Sequence, residues 1–194
     1  MKEGGGGLVY SGVPNAEFKF ILHLVDSKMQ YLADLLGFKQ AGGDCILKEL
    51  AFVPVDDHHE IQTLLFKPPF SWNKLSEKYQ KQNSWLKHNY HGLEWKSGKY
   101  HYSEMRNILF EYFADASTIF VNCNIKKRWL ERFGFNVCNI CDYGYLSFKP
   151  TKQVTICLNH HSMCQIKCAH HNVKYMKQFY LQNTDLMEWE DILS

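Results

Sequence analysis

The sequence has no long hydrophobic run and almost no net charge. A transmembrane helix needs about 18 or more consecutive apolar residues, and no stretch of the 194 residues comes near that length. We therefore expect no membrane partner. Lys and Arg number 22 against 20 Asp and Glu, a formal charge of +2. The overall charge gives no indication of a nucleic-acid partner, so any basic surface must be local.

The composition also lacks the signs of disorder and of secretion. Hydrophobic residues make up 45% of the chain and aromatic residues 15%, which is enough for a packed core. The start of the chain, in which a glycine run from Gly4 to Gly7 follows two charged residues, has no apolar segment of the kind found in signal peptides. We therefore expect an intracellular protein, in the cytoplasm, the nucleus or both.

The hydrophobic pattern predicts strands that alternate with helices. Strands are predicted over 45–55, 61–67, 118–121 and 137–140, and helices over 74–87, 103–116, 126–133 and 172–181. Between 18 and 38 the apolar positions mix two periods, which we interpret as a strand or short helix followed by a helix. This order of elements predicts an α/β domain.

The composition divides the chain into four segments. We predict a flexible glycine-rich lead over 1–15, an N-terminal extension over 16–44, a folded domain over 45–182 and an acidic tail over 183–194. The tail contains Asp and Glu but no Lys or Arg, so it is a candidate docking segment for a protein partner.

Cysteine and histidine are concentrated in one stretch near the end of the folded domain. Cys157 and His160 have the two-residue spacing that places two ligands on one ion, as in half of a structural zinc site. Cys168 is our third ligand, with Cys164, His161 and His170 as competitors. Such a density in a reducing compartment indicates metal ligands rather than disulfides. The alternative is a set of buried thiols and surface histidines without a metal.

A second pair of cysteines has the same spacing but a different setting. Cys138 and Cys141 are separated by two residues, and the apolar Val137 and Ile140 stand beside them in a predicted strand. The pair could complete a four-ligand site with Cys157 and His160, but because of its apolar neighbours we interpret it as core residues rather than ligands. The fourth ligand of a zinc site must then come from elsewhere in the chain.

Several segments resemble DnaQ-type exonucleases of the RNase H-like fold. The segment 47–53, followed by a hairpin, looks like their opening strand, and 90–93 (Tyr-His-Gly-Leu) is similar to their His-Gly-Ile element. The segment 119–130 matches the strand and helix that carry their second Asp, and 168–173 falls where they have His-x4-Asp. The resemblance covers roughly residues 45 to 182 and implies a mixed sheet flanked by helices.

The catalytic residues of that family are mostly replaced in this chain. The family's Glu is retained as Glu49. The positions of its three Asp are occupied by Leu47, by Lys126 or Lys127, and by Val173, and the position of its His is occupied by Cys168. Two-metal cleavage of a phosphodiester needs several carboxylates to hold two Mg²⁺ ions. The resemblance therefore implies that the ordinary exonuclease reaction is absent.

The set Glu49, Cys157, His160 and Cys168 is similar to the Maelstrom domain of the piRNA pathway, in which a Glu-Cys-His-Cys zinc set replaces the catalytic acids. This resemblance implies a structural zinc on these four residues, RNA binding, and a role of the small-RNA or transposon-silencing type. It also implies a single-strand endonuclease activity that does not need the zinc set, but its residues find no match here. The alternative for Glu49 is a solvated acid at the edge of a strand, paired with Lys48 or Lys67.

Local charge indicates a nucleic-acid surface. Between 67 and 102 the chain has seven Lys against two Glu, interleaved with eight aromatic residues, a pattern typical of single-strand binding. A second basic group lies at 126–128. The candidate contacts are Lys74, Lys78, Lys81, Trp85, Lys87, Lys126, Lys127 and Arg128. The alternative is that the tryptophans lie in the core and the lysines only solvate a helix.

Three functions remain open from the sequence. The first is a zinc-stabilised, exonuclease-inactive domain that binds RNA or single-stranded nucleic acid. The second is a metal-independent single-strand endoribonuclease that uses His91 or His101 with Lys126. The third is a protein-interaction module in which the RNase H-like fold is only a scaffold.

Overall fold

The computed structural model describes residues 29–56, 58–146, 160 and 167–183. These residues form an α/β fold with a five-stranded mixed sheet flanked by helices. The strands are β1 (Met29–Lys39), β2 (Cys45–Pro54), β3 (Gln62–Leu65), β4 (Ala116–Val121) and β5 (Val137–Asn139). The α-helices are α1 (Glu77–Leu86), α2 (Met105–Phe113), α3 (Asn124–Glu131) and α4 (Ala169–Gln182). No helix among the described residues is long and apolar enough to span a bilayer.

The sheet has the strand order β3-β2-β1-β4-β5, with β1 at its centre. The first three strands pair antiparallel, and β1, β4 and β5 pair parallel to one another. Parallel neighbours need crossover connections, and helices supply them here. The expected class, a mixed sheet flanked by helices, is therefore confirmed.

The prediction of a helix ending near residue 38 is wrong, because this segment is the central strand β1. The residues from Leu32 to Leu36 are all buried, since β1 has a strand on each side and packed layers on both faces. A strand buried on both faces shows no alternation of apolar and polar residues, and its period therefore cannot be told from that of a buried helix. The segment 45–54 is consequently the second strand of the sheet, not its opening strand.

The remaining predicted elements of the described residues are confirmed to within a few residues. The strand predicted over 45–55 is β2, and its antiparallel partner predicted over 61–67 is the shorter β3. The predicted helices correspond to α1, α2, α3 and α4. Part of the predicted N-terminal extension forms strand β1 (Met29–Lys39), which pairs along its length with β2.

Two cores lie on opposite faces of the sheet. On one face, Leu50 and Phe52 of β2 pack among residues of α2 and α3. On the other face, Ala51 and Val53 of β2 pack among residues of α4. Because side chains alternate along a strand, Glu49 lies on the same face as Ala51 and Val53. The sheet therefore presents this acid to α4.

The opposite face of β2 carries a buried lysine next to Glu49. Lys48 is almost completely buried, and its Nζ donates hydrogen bonds to the carbonyls of Phe66 and Trp95, each at 2.8 Å, and of Ser97. Burial lowers the pKa of Lys48 to about 8. Three backbone acceptors compensate the desolvated ammonium and fasten the segment around Trp95 to the sheet.

Replacing Lys48 by Met should therefore destabilise the fold. The variant leaves the carbonyls of Phe66, Trp95 and Ser97 without their donor, the first two of them in the interior, and we expect a loss of about 3 kcal/mol in the free energy of unfolding. Urea denaturation followed by circular dichroism measures it. Lys99→Met, at an exposed lysine, is the control and should change stability by no more than about 0.5 kcal/mol. Equal stability of the two variants would contradict this account of Lys48.

Candidate metal centre

Three of the four predicted zinc ligands lie together in the structure. Glu49, His160 and Cys168 are all buried, and one ligand atom from each lies within 4.8 Å of the other two. Glu49 belongs to β2, whereas Cys168 is the residue that caps the N-terminus of α4. The group can hold a metal ion. The fourth predicted ligand, Cys157, lies outside the described residues.

Glu49 is a fully buried carboxylate with partners for both of its oxygens. Its Oε1 lies 3.0 Å from Nε2 of His160, and its Oε2 accepts a hydrogen bond of 3.0 Å from the backbone N–H of Ala169. Ala169 is the first residue of α4, so the carboxylate lies at the positive end of the helix dipole. A buried charge is stable only with such partners.

The contacts of His160 determine which of its ring nitrogens carries a proton. Nδ1 makes a hydrogen bond to the backbone carbonyl of His91, and because a carbonyl only accepts, Nδ1 must donate. Nε2 lies 3.0 Å from the carboxylate of Glu49. Either a second proton on the ring, which makes this contact an ion pair, or a metal ion bound to both groups satisfies the two atoms. A ring N–H donated to a backbone carbonyl is also the usual arrangement of a metal-binding histidine.

A single turn of the chain supports both ligand-bearing segments. Helix α1 continues into a π-helical turn, Lys87–His91, which Gly92 ends with a left-handed φ of 64°. The carbonyl of His91 accepts from His160, and that of Tyr90 accepts from the backbone N–H of Lys167 at 2.6 Å. The carbonyls of two adjacent residues thus bind the segment that carries His160 and the segment that carries Cys168.

The side chain of His91 is itself buried and neutral. Burial, together with the nearby His160, lowers the pKa of His91 to about 4. Its Nδ1 accepts a hydrogen bond of 3.1 Å from the N–H of Leu93, so the ring binds the backbone directly after the turn. His91 contributes to the site through its backbone.

The geometry does not match a Cys-His-Glu catalytic triad. In such a triad one ring nitrogen of the histidine faces the nucleophile and the other faces the acid. In this structure the two ring nitrogens of His160 contact the carbonyl of His91 and the carboxylate of Glu49. One ligand atom from each of the three side chains lies within 4.8 Å of the other two, so a single metal ion could bind all three.

The structure also places three of the weaker ligand candidates. His170 is not a member of the group, because its Nδ1 lies 3.1 Å from Oγ1 of Thr63. The thiols of Cys138 and Cys141 pack at the edge of the core beneath α4, as the sequence interpretation held. The competitors Cys164 and His161 lie outside the described residues.

A second buried carboxylate, Asp34, was missed by the sequence analysis. It lies on β1, is fully buried, and binds Nζ of Lys126, while Nδ2 of Asn172 donates to it at 2.6 Å. Burial opposes the charge of Lys126, but the neighbouring Asp34 outweighs it and raises the pKa of the ammonium. The only signal in the sequence was one acid inside the apolar segment 31–38, which the helix interpretation concealed.

This ion pair corrects the interpretation of Lys126 as a nucleic-acid contact. The Lys126 side chain is only 16% exposed, and its ammonium is bound to Asp34 and to Oδ1 of Asn122, the latter at 2.7 Å. An ammonium held in the interior is not available to a phosphate. Its neighbour Lys127 lies 3.9 Å from Glu131, and Arg128 is exposed.

The other predicted contacts lie on or near α1. Lys74, Lys78 and Lys81 are exposed, and Trp85 is 57% exposed. Lys81 forms an exposed ion pair with Glu77 at 2.6 Å, and Lys87 pairs with Glu94 at 2.8 Å. The core tryptophans Trp95 and Trp129 are buried, so Trp85 differs from them in facing solvent.

Replacing Lys126 by Met should destabilise the fold strongly, since it leaves Asp34 buried without its cation. We expect a loss of about 3 to 5 kcal/mol in the free energy of unfolding, measured by urea denaturation. Lys127→Met is the matched control and should cost less than about 1 kcal/mol. The double variant Asp34→Asn with Lys126→Met should recover part of the loss, and a double variant no more stable than Lys126→Met would contradict the pairing.

Comparison with known proteins identifies no relative of this chain. No protein-family model matches the chain, and neither does any curated protein or any solved structure.

Proposed function

We propose that the protein is a zinc-stabilised RNase H-like domain, similar to the Maelstrom domain, that lacks the exonuclease reaction and binds RNA or single-stranded nucleic acid. The observation that carries the proposal is the convergence of Glu49, His160 and Cys168 in the protein interior. These are three of the four residues on which the resemblance to that family's Glu-Cys-His-Cys set rests. The mixed sheet flanked by helices supports the proposed fold.

The chemistry of the donors favours zinc. A thiolate, an imidazole and a carboxylate suit zinc, whereas magnesium and calcium prefer oxygen ligands throughout. The group is buried, which is typical of closed structural sites rather than catalytic sites with an open position. Cys157 would complete the tetrahedron. Bound zinc would neutralise Glu49 and connect β2 to the N-terminus of α4.

The contacts of the two buried acids, Asp34 and Glu49, support the proposed loss of exonuclease activity. Two-metal cleavage needs carboxylates that are free to bind Mg²⁺. Asp34 is occupied by Lys126 and Asn172, and Glu49 is engaged by His160 and Ala169. Neither acid offers a free oxygen pair to a second metal ion.

The endoribonuclease alternative finds little support in the placement of its residues. His91 is completely buried, and the ammonium of Lys126 is bound to Asp34. Of the histidines named for this reaction, only His101 is exposed. The protein-interaction alternative depends on the acidic tail, which lies outside the described residues and stays a prediction.

Metal content tests the zinc centre. Protein purified without chelator should contain about one zinc per chain by elemental analysis, and Cys157→Ala, Cys168→Ala and Glu49→Gln should lose most of it. Chelator should lower the unfolding temperature of the wild type far more than that of these variants, because metal binding contributes to folding.

Cys138→Ala is the matched control, since Cys138 is a partly buried cysteine outside the group. It should retain the zinc of the wild type. A wild-type protein without metal would refute the centre and remove the basis of the family resemblance. Stoichiometric iron in place of zinc would refute only the identity of the metal.

Salt dependence tests nucleic-acid binding. If Lys74, Lys78 and Lys81 contact three phosphates of a single strand, a fourfold rise in salt should weaken binding about 18-fold. Fluorescence anisotropy with a labelled oligouridylate measures this. The charge reversal Lys78→Glu should weaken binding, whereas Lys174→Glu, at an exposed lysine of α4, should change it little. Equal effects of the two reversals would count against the α1 surface.

A further inference from the structure

Two cysteines follow the ends of the parallel strands β4 and β5, and both are free thiols. The two strands pair in a constant register, and Val121 opposite Asn139 is the last pair. Continued by two residues, the same offset places Cys123 opposite Cys141. Neighbouring strands lie about 4.8 Å apart, and the Cα atoms of a disulfide are about 4.4 to 6.8 Å apart. The register therefore brings the two backbones to the separation that a disulfide needs.

A direct contact holds the thiol of Cys141 at this junction. Cys141 belongs to a 3₁₀ turn, Ile140–Tyr143, which follows β5 directly. Its Sγ donates a hydrogen bond of 3.3 Å to the backbone carbonyl of Asn122. Because Asn122 directly precedes Cys123, the sulfur of Cys141 lies beside the peptide bond that joins these two residues. The position of the sulfur thus agrees with the separation that the register gives.

Cys123 has the surroundings of a cysteine that reacts with oxidants. It is the N-cap residue of α3, where the helix dipole is positive, and Lys126 of that helix binds Oδ1 of Asn122 at 2.7 Å. Burial lowers the pKa of Lys126, but Asp34 and then Cys123 raise it, and the rise prevails. The ammonium and the thiol of Cys123 therefore lie within electrostatic range of each other. Positive surroundings of this kind activate cysteines toward oxidation.

The other cysteines of the described residues have different settings. Burial raises the pKa of Cys45 to about 11, so its sulfur is almost entirely protonated at neutral pH. Cys138 lies within β5 and packs against the core beneath α4, and Cys168 belongs to the candidate metal centre. Burial and then the nearby Cys123 raise the pKa of Cys141, which suits it to the second step of an oxidation rather than the first.

We propose that Cys123 and Cys141 form a peroxide-sensitive dithiol at the carboxyl ends of β4 and β5. The thiolate of Cys123 attacks one oxygen of hydrogen peroxide, so that an S–O bond forms, the O–O bond breaks, and a sulfenic acid and hydroxide result. The sulfur of Cys141 then attacks the sulfenic sulfur. The S–S bond forms, the S–O bond breaks, and the hydroxyl group leaves as water with the proton of the Cys141 thiol. The two sulfurs together lose two electrons, which reduce the peroxide.

The disulfide would fasten the N-terminus of α3 to the turn after β5. It closes the loop 123–141, and a closed loop restricts the unfolded chain. The oxidised protein should therefore unfold at a higher urea concentration than the reduced protein. Neither step involves the candidate metal centre or a nucleic acid, so failure of the proposed function leaves the dithiol standing.

Peptide mapping of the full chain after treatment with equimolar hydrogen peroxide tests the dithiol. We expect a disulfide between Cys123 and Cys141, together with a rise in the urea midpoint that a thiol reductant reverses. In Cys141→Ser, which lacks the second sulfur, dimedone should label Cys123 as a sulfenic acid about tenfold more than Cys45. Cys138→Ser is the matched control and should form the same disulfide as the wild type.

Three results would overturn the dithiol. The first is a wild-type map in which Cys123 is oxidised to a sulfinic acid without a link to Cys141. The second is linkage of Cys123 mainly to any other cysteine, and the third is a map in which both thiols stay reduced while other cysteines are oxidised. If Cys141→Ser does not fold, the wild-type map and its urea midpoint decide alone.

Discussion

The burial of the Glu49 carboxylate is the constraint on which the arrangement of this domain depends. A charged group with no exposure to solvent must be compensated inside the protein, and the partners of Glu49 come from residues 111 and 120 positions later in the chain. These contacts place the start of α4 against β2. Once α4 lies there, its apolar residues Val173 and Met176 close the core on that face of the sheet.

The same face of the sheet contains a second buried acid, whose charge is compensated in a different way. Asp34 and Glu49 lie on neighbouring strands beneath α4, since Asp34 pairs in register with Ala51 and binds Asn172 of that helix. A lysine ammonium is part of the chain and permanently neutralises Asp34. Glu49 is instead engaged by His160 and by the N–H of Ala169, and together with His160 and Cys168 it could hold a metal ion. One acid is thus compensated by an ammonium of the chain, and the other belongs to a group of candidate metal ligands.

The two acids also differ in how far they could be predicted. Glu49 was identified because it stands where the resembled family has its Glu, and because a charge among apolar neighbours in a predicted strand needs a partner. Asp34 stands in an equally apolar segment, but that segment lacks alternation because both faces of β1 are covered. The segment was therefore interpreted as a helix, and in a helix Asp34 did not need a buried partner. Lys126 was misjudged for the same reason, since its charge resembles that of its solvated neighbours until its partner is known.

By itself, the sequence determined the local features of this protein: the ligand types of the candidate metal centre, the two-residue spacing of Cys157 and His160, most strands and helices, and the basic and aromatic segment that contains α1. Local periodicity and short spacings encode such features within a few residues. Only the tertiary structure decided that β1 is the central strand, that Glu49 meets His160 and Cys168, and that the carbonyls of the Lys87–His91 turn support both ligand segments. These contacts join residues far apart in the chain, and long-range packing, which no local pattern records, brings them together.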